Sequence, residues 1–191
     1  GPEGSIGRMV AAGKLSSMIL WGPPGTGKTT IARLLADAVG MRFAAVSAVF
    51  SGVADLKKAF AEAETAAKAG QKTLLFVDEI HRFNRAQQDG FLPFVERGTV
   101  TLVGATTENP SFALNAALLS RAQVLILERL GHEALGELLT RAEELERPLP
   151  LTEDARAALI ASADGDGRFL LNQAETLYNA GLTEPLDPAA L

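Results

Sequence analysis

Eight consecutive residues, Gly22-Pro23-Pro24-Gly25-Thr26-Gly27-Lys28-Thr29, constrain this chain more than any others. They match G-x-x-x-x-G-K-S/T at every fixed position. They also lie between an apolar run at 17–21 and a segment whose Ile31, Leu34, Leu35 and Ala38 fall at helical spacing before Gly40. Strand, glycine loop and helix in that order make a phosphate cradle. The glycines let the backbone curl so that N–H groups point inward, and the helix N-terminus adds positive potential. In such a loop Lys28 brings a mobile charge to the β- and γ-phosphates, and the Thr29 hydroxyl ligates Mg²⁺. Gly22, Pro23, Pro24, Gly25, Thr26, Gly27, Lys28, Thr29 and the adjoining Thr30 are therefore the candidate nucleotide-binding residues.

Around this loop, apolar runs alternate with helical patterns. Further strands are expected at 42–46, 73–77, 100–105 and 124–127. Helices are expected at 29–39, 53–69, 84–91 (with a break or kink near Pro93) and 115–119. The unbroken apolar run Thr73-Leu74-Leu75-Phe76-Val77 suits a sheet covered on both faces. Alternation of this kind implies a mostly parallel sheet with right-handed crossovers. Beyond Leu127 the strand signal disappears. Helical stretches at 132–145, 153–161 and 168–180 are separated by Pro148-Leu149-Pro150 and Gly165-Asp166-Gly167. The expected fold is α/β: a P-loop core with a parallel sheet flanked by helices over residues 1–130, then a small all-helical lid domain over 131–191.

Composition excludes several other classes. The chain has 191 residues, a formal net charge of −5 and no cysteine, so disulfides and thiolate metal sites are ruled out. No apolar run approaches the ~20 residues needed to cross a bilayer, and no signal peptide is visible, so a cytoplasmic protein without membrane contact is expected. The acidic balance argues against a surface that coats nucleic acid, leaving DNA contact to a local patch or to other regions. His81 and His132 are the only histidines and stand far apart, so no histidine metal site is expected. The chain begins Gly1-Pro2 without Met, either native or a protease scar, and closes on Asp187-Pro188-Ala189-Ala190-Leu191, so both ends read as cut from something longer.

Two further segments carry chemistry. The run ending in Val77 delivers Asp78 and Glu79 to a strand terminus, where a pair of carboxylates is costly unless a cation or a reaction uses them. Asp78 is placed to hold Mg²⁺, and Glu79 to orient or deprotonate the water that attacks the γ-phosphate. The second segment, Val103-Gly104-Ala105-Thr106-Thr107-Glu108-Asn109-Pro110, ends another strand in polar groups, which in a parallel sheet lie beside the ligand crevice. Ser47, ending the 42–46 strand, is a candidate to hold Glu79 in an unproductive pose. His81 and Arg82 read as structural.

Taken with the P-loop, Asp78-Glu79-Ile80-His81-Arg82-Phe83-Asn84 and Gly104-Ala105-Thr106-Thr107-Glu108-Asn109-Pro110-Ser111-Phe112 resemble an AAA+ ATPase. Within that group they resemble the family of replication-associated recombination protein A, whose eukaryotic relatives are the Werner helicase-interacting proteins. Gln87-Gln88-Asp89 and Ala117-Leu118-Leu119-Ser120-Arg121-Ala122 fit the same pattern, and the Thr-Glu-Asn-Pro-Ser-Phe segment is its most specific mark. The resemblance implies ATP/ADP and Mg²⁺ as ligands. It makes Thr107 the sensor of the γ-phosphate (with Thr106 as the alternative), Arg121 an arginine finger acting on a neighbouring subunit's nucleotide, and Arg168 a second sensor carried by the lid. An arginine finger contributes about 10³–10⁵ in rate.

The same resemblance implies a tetramer that hydrolyses ATP on single-stranded, gapped or forked DNA at stalled replication sites and in recombination. Such a motor would be nucleoid-associated, would work with single-stranded-DNA-binding protein and the replication machinery, and could be stimulated by DNA. It also implies that an upstream adenine-enclosing segment and a C-terminal oligomerisation region lie outside this chain. Only Ile6, Met9 and Val10 stand as candidates for part of the adenine wall. Gly167 and Phe169-Leu170-Leu171 depart mildly from the family pattern beside Arg168. Two alternatives remain: a clamp-loader or Holliday-junction branch-migration subunit, and a nucleotide-gated DNA- or protein-binding scaffold. A metabolic P-loop kinase is more distant, since nothing resembles an acceptor-substrate pocket.

Overall fold

Five apolar segments become the strands of one all-parallel sheet: β1 (Met18–Trp21), β2 (Arg42–Ser47), β3 (Thr73–Asp78), β4 (Val100–Thr106) and β5 (Gln123–Ile126), in the spatial order β2-β3-β4-β1-β5. The computed structural model describes residues 4–181 and 184–190, so Gly1, Pro2 and Leu191 lie outside the described residues. β3 is buried from Thr73 to Val77, as its unbroken apolar run requires of a strand with neighbours on both edges and helices on its faces. Only β5, at one edge, stays largely exposed.

The register aligns the strand ends. Trp21 pairs with Thr106, Val77 with Gly104, and Ser47 with Asp78. All five strands run the same way, so their carboxyl ends share one edge of the sheet. β4 lies between β1, which feeds the glycine loop, and β3, which ends in Asp78. Three segments far apart in sequence are thus neighbours in space.

Helices close both faces. α1 (Ser5–Ala11) precedes β1, and the Ser5 hydroxyl lies 3.1 Å from the Gln123 side-chain oxygen on β5. Ile6, Met9 and Val10 on α1 are half-buried. α2 (Lys28–Ala38) buries Ala32, Leu35 and Ala36. α3 (Val53–Lys68) buries Leu56, Phe60 and Ala63, one stripe at helical spacing. Phe60 stacks on Phe94 at a centroid distance of 3.9 Å and meets Phe91 edge-on at 5.5 Å. A fully buried Phe or Leu contributes about 1.5–3 kcal/mol, so this stripe is a main anchor for α3. On its other face, Glu62 pairs with Arg42 at 2.5 Å and Glu64 with Arg97 at 3.4 Å.

After β3 the chain makes a 3₁₀ turn at Ile80–Arg82 and then two short helices, α4 (Arg85–Asp89) and α5 (Leu92–Glu96). The break expected near Pro93 falls earlier. Asp89-Gly90 ends α4, whereas Pro93 sits in the first turn of α5, where its missing N–H goes unused. Short helices α6 (Pro110–Ala113) and α7 (Ala116–Leu119) lead from β4 to β5, and the side chains of Asn109 and Asn115 cap them. That is the local reason for Asn-Pro in the Thr-Glu-Asn-Pro-Ser-Phe segment: Asn109 accepts from the Ser111 N–H at 3.0 Å, and Pro110 occupies the first helical position.

Contacts within the chain divide it into two compact units, one holding Lys28–Ile126 with the residues up to Gly22, the other Leu127–Leu191 with Pro23–Gly27. In the second unit α8 (His132–Leu145), α9 (Glu153–Ser162) and α10 (Gly167–Asn179) pack around Leu135, Leu139, Leu149, Leu159 and Leu170. Asp166 caps α10, its Oδ1 accepting from the N–H groups of Arg168 and Phe169, both at 2.9 Å. The Gly167 N–H donates to the Gly25 carbonyl at 3.2 Å. Gly25 lies in the left-handed region (φ 71°), and a Cβ there would fall 1.7 Å from Asp166 Oδ1, so only glycine fits. Among the described residues no helix is long and apolar enough to cross a membrane.

Candidate active site

The glycine loop leaves β1 and enters α2. The Gly22 N–H donates to the Thr106 carbonyl at 3.1 Å, which ties the loop's origin to the end of β4. Gly25 and Gly27 both have positive φ (71° and 81°), the conformation that turns successive amides to one side. The Thr26 hydroxyl donates to the Pro23 carbonyl at 3.0 Å, bracing the turn. Lys28 is buried, and its Nζ donates to the Gly22 carbonyl at 2.8 Å. Thr29 is half-buried and Thr30 exposed in the first turn of α2, where no acidic side chain stands. Inward-turned amides, a buried ammonium and an acid-free helix start fit a polyphosphate. The Thr29 hydroxyl and the Asp78 carboxylate, an all-oxygen pair, fit a hard cation such as Mg²⁺.

At the end of β3, Asp78 and Glu79 are both half-buried. Glu79 adopts left-handed backbone angles (φ 52°, ψ 44°) and opens the 3₁₀ turn, the Arg82 N–H donating to its carbonyl at 2.8 Å. A non-glycine residue in that region is uncommon, with a backbone cost of order 1 kcal/mol, and here it turns the chain directly after the strand. Ser47 does not hold the Glu79 carboxylate. It pairs in register with Asp78, and its carbonyl accepts from the N–H groups of Phe50 and Ser51. The partner of Glu79 is His81, whose Nε2 lies 3.2 Å from Glu79 Oε2 and 3.5 Å from Glu108 Oε1.

At the end of β4 the two threonines part company. Thr106 is fully buried. Its hydroxyl lies 2.9 Å from His81 Nδ1, accepts from the Glu108 N–H at 3.0 Å and lies 3.3 Å from the Glu108 carbonyl. Thr107 is exposed. Thr106 is thus committed within the protein, whereas Thr107 stands just past the strand edge.

Arg121, after α7, is joined to Glu96 at the end of α5. Its Nε lies 2.7 Å and its terminal nitrogen 2.6 Å from Glu96 Oε1, and it also donates to the Ala117 carbonyl at 2.9 Å. Arg168 is exposed at the start of α10, in the helical unit. Among the described residues no cluster of three or more His, Asp or Glu side chains is placed to hold a metal ion.

Gln88, part of the Gln87-Gln88-Asp89 run, is buried. Its amide donates to the carbonyls of Phe83 and Ala113 at 2.9 and 3.2 Å, and its oxygen accepts from the Asn115 N–H at 2.9 Å. The side chain therefore joins the turn after Glu79 to the segment that leads to Arg121. The sequence marks the run without giving Gln88 a task, and it presents His81 as structural. A histidine two residues after Glu79 is the available signal for their contact.

A parallel sheet with a glycine loop after β1, acids at the end of β3 and polar groups at the end of β4 defines a P-loop nucleotide-binding module. The chain belongs to the AAA family, the ATPase family associated with various cellular activities, whose sequence profile matches residues 18–130. It is 47% identical over 190 residues to replication-associated recombination protein A of Coxiella burnetii, covering 96% of this chain and 43% of that protein. It is 44% identical over 184 residues to the ATPase WRNIP1 of Dictyostelium discoideum, covering 94% of this chain and 21% of that one. Among solved structures it resembles the RuvB Holliday junction branch migration motor of Thermotoga maritima, with TM-score 0.73, 24% identity and coverage of 97% of this chain and 63% of that one. That likeness speaks to the fold alone. The chain thus spans less than half the length of the curated relatives it matches.

Proposed function

We propose that this chain is the ATP-hydrolysing part of a DNA-maintenance motor that acts at stalled or gapped replication forks and in recombination. The observation that carries the reading is the convergence of the loop at Lys28-Thr29, the carboxylates Asp78 and Glu79, and the β4 terminus at one edge of the sheet. In this reading the loop amides and Lys28 hold the β- and γ-phosphates, and Thr29 and Asp78 hold Mg²⁺, which neutralises charge on the phosphates. Glu79 orients the attacking water, and Thr107 hydrogen-bonds the γ-phosphate. The engagement of the Thr106 hydroxyl by His81 and Glu108 supports Thr107 over Thr106 in that role. Arg121 serves a neighbouring subunit, and Arg168 is the second sensor. The catalytic logic is charge neutralisation plus the positioning of one water.

The DNA side of the proposal rests on the relatives' names and on the resemblance of the motifs. It includes a homotetramer, cooperation with single-stranded-DNA-binding protein and the replication machinery, and a place in the cytoplasm at the nucleoid. Phosphate release by the intact protein, measured with and without gapped DNA, tests it. DNA-stimulated turnover is expected, and Glu79→Gln should bind ATP normally while losing turnover. Unstimulated turnover would favour a nucleotide-gated scaffold, and stimulation by junctions or sliding clamps alone would favour a branch-migration or clamp-loading subunit.

A further inference from the structure

We propose that His81 is a positioning residue for Glu79: a proton-fixed strut that holds the carboxylate against the end of β4. The inference rests on the proposed role of Glu79 in orienting the attacking water. The His81 side chain is only 4% exposed, so its two ring nitrogens must be satisfied within the protein. Nδ1 lies 2.9 Å from the Thr106 hydroxyl, and Nε2 faces two carboxylates, Glu79 Oε2 at 3.2 Å and Glu108 Oε1 at 3.5 Å.

The donor inventory settles where the proton sits. Carboxylates only accept, so a bare Nε2 lone pair would repel both, and Nε2 must carry the hydrogen. The Thr106 hydroxyl has one hydrogen and accepts from the Glu108 N–H at 3.0 Å. The Thr106 hydroxyl either donates its hydrogen to Nδ1 at 2.9 Å, or passes it to the Glu108 carbonyl at 3.3 Å and accepts from Nδ1–H, and in both arrangements Nε2 carries a hydrogen. Either way Thr106 anchors the imidazole through Nδ1, and Nε2–H faces the Glu79 carboxylate in an electrostatic contact at 3.2 Å.

Two features make this a device for Glu79 rather than a core contact. Glu79 sits at left-handed backbone angles at the mouth of a short turn, where its side chain needs an external restraint. The restraint comes from Thr106, the residue immediately before the proposed γ-phosphate sensor Thr107. One oxygen of Glu79 is occupied by His81, which leaves the other for the water.

The test uses the intact protein with saturating DNA. His81→Gln places an amide donor near the position of Nε2, whereas His81→Asn keeps a group near Nδ1 for Thr106 but nothing to reach Glu79. His81→Asn and His81→Ala are expected to lower kcat by about 10–100-fold with KM and ATP affinity within about twofold, and His81→Gln to recover most of the loss. In a Glu79→Gln background His81→Asn should cause no further loss, because the two act through one carboxylate. If His81→Asn turns over like the parent, or loses activity only in step with ATP affinity and melting temperature, the proposal is overturned. Should His81→Asn fail to fold, His81→Gln decides alone: retained turnover supports the strut, and turnover as low as His81→Ala removes it. Undiminished turnover by Glu79→Gln overturns the reading of Glu79 itself. An inactive Glu79→Gln beside a fully active His81→Asn overturns only the strut.

Discussion

Arg121 is bound by Glu96 of the same chain, with 2.7 Å from Nε to Oε1, and both side chains are substantially exposed at 39% and 50%. An ion pair this exposed contributes about 0.2–1 kcal/mol. An arginine finger stabilises a phosphoryl-transfer transition state by about 10³–10⁵ in rate, roughly 4–7 kcal/mol. On the proposed finger role of Arg121, that stabilisation outweighs the ion pair, so Glu96 would hold Arg121 without preventing it from serving a neighbour's nucleotide. Arg121→Ala should therefore lower kcat by about 10³-fold or more in the assembled protein with ATP affinity unchanged. Glu96→Gln should stay within about threefold of the parent, because only a weak pair is lost. Steady-state phosphate release checks both. Mixing Arg121→Ala with Lys28→Ala subunits should restore part of the turnover if the finger acts in trans.

Lys28 and Thr29 are adjacent but should fail differently. The Lys28 ammonium is buried against the Gly22 carbonyl, in the loop whose amides fit phosphate, so Lys28→Ala removes a charge-assisted donor. Hydrogen bonds to charged groups contribute about 1.5–3 kcal/mol each, and loss of one or two weakens ATP binding by about 10–10⁴-fold. Thr29→Ala should leave nucleotide affinity nearly intact without Mg²⁺ and raise the Mg²⁺ concentration needed for half-maximal turnover by about tenfold or more. Fluorescent-nucleotide titrations with and without Mg²⁺ separate the two.

Gln88 is predicted to matter for stability rather than chemistry. Gln88→Ala would strand the Asn115 N–H and two carbonyls in a buried position. A buried unsatisfied group costs about 1–3 kcal/mol, and partial relaxation brings the sum to about 2–4 kcal/mol. For a chain of this size that is a fall in melting temperature of roughly 5–12 °C. Thermal unfolding should show that drop, with residual ATP affinity at low temperature close to the parent's.

How far the site could be read from sequence depends on the range of the interactions that build it. The strands were legible because a parallel sheet covered on both faces demands continuous apolar runs, and Leu74 to Val77 supply one. The glycine loop was legible because its amides, lysine and hydroxyl are consecutive. Pro93 misled because a proline ends a helix in mid-course but is tolerated in a first turn, and the pattern did not show where α5 began. What stayed hidden were pairings between side chains on different elements. His81 to Thr106 and Arg121 to Glu96 each span 25 residues, and neither leaves a periodic trace. Ser47 is a candidate partner of Glu79 because neighbouring strand ends suggest a contact, but the left-handed turn at Glu79 places its carboxylate beside His81 instead. The association of Pro23–Gly27 with the helical unit was equally invisible, since it depends on Asp166 and Gly167 some 140 positions downstream.

Gly104 offers a way to perturb that turn without touching a polar group. It lies on β4 opposite Val77, and a Cβ there would fall 2.8 Å from Ile19 Cδ1 and 3.0 Å from Ile80 Cδ1. Ile80 is fully buried between Glu79 and His81, so displacing it moves both neighbours. Because the clashing atoms are ends of flexible side chains, Gly104→Ala should fold at a stability cost of about 1–3 kcal/mol, the usual range for mild overpacking. Its effect on turnover should exceed that on stability. A misplacement of a few tenths of an ångström to 1 Å at Glu79 lowers kcat by about 10–100-fold, while the loop that binds nucleotide keeps its affinity. Adding Ile80→Val removes the Cδ1 methyl that the new Cβ meets, and should return part of kcat even though the second substitution by itself deletes buried volume. The check is to measure kcat, ATP affinity and melting temperature for the two single variants and the double variant. If kcat falls only in proportion to lost stability, or if Ile80→Val gives no recovery, then the packing of Ile80 on Gly104 does not set the position of Glu79.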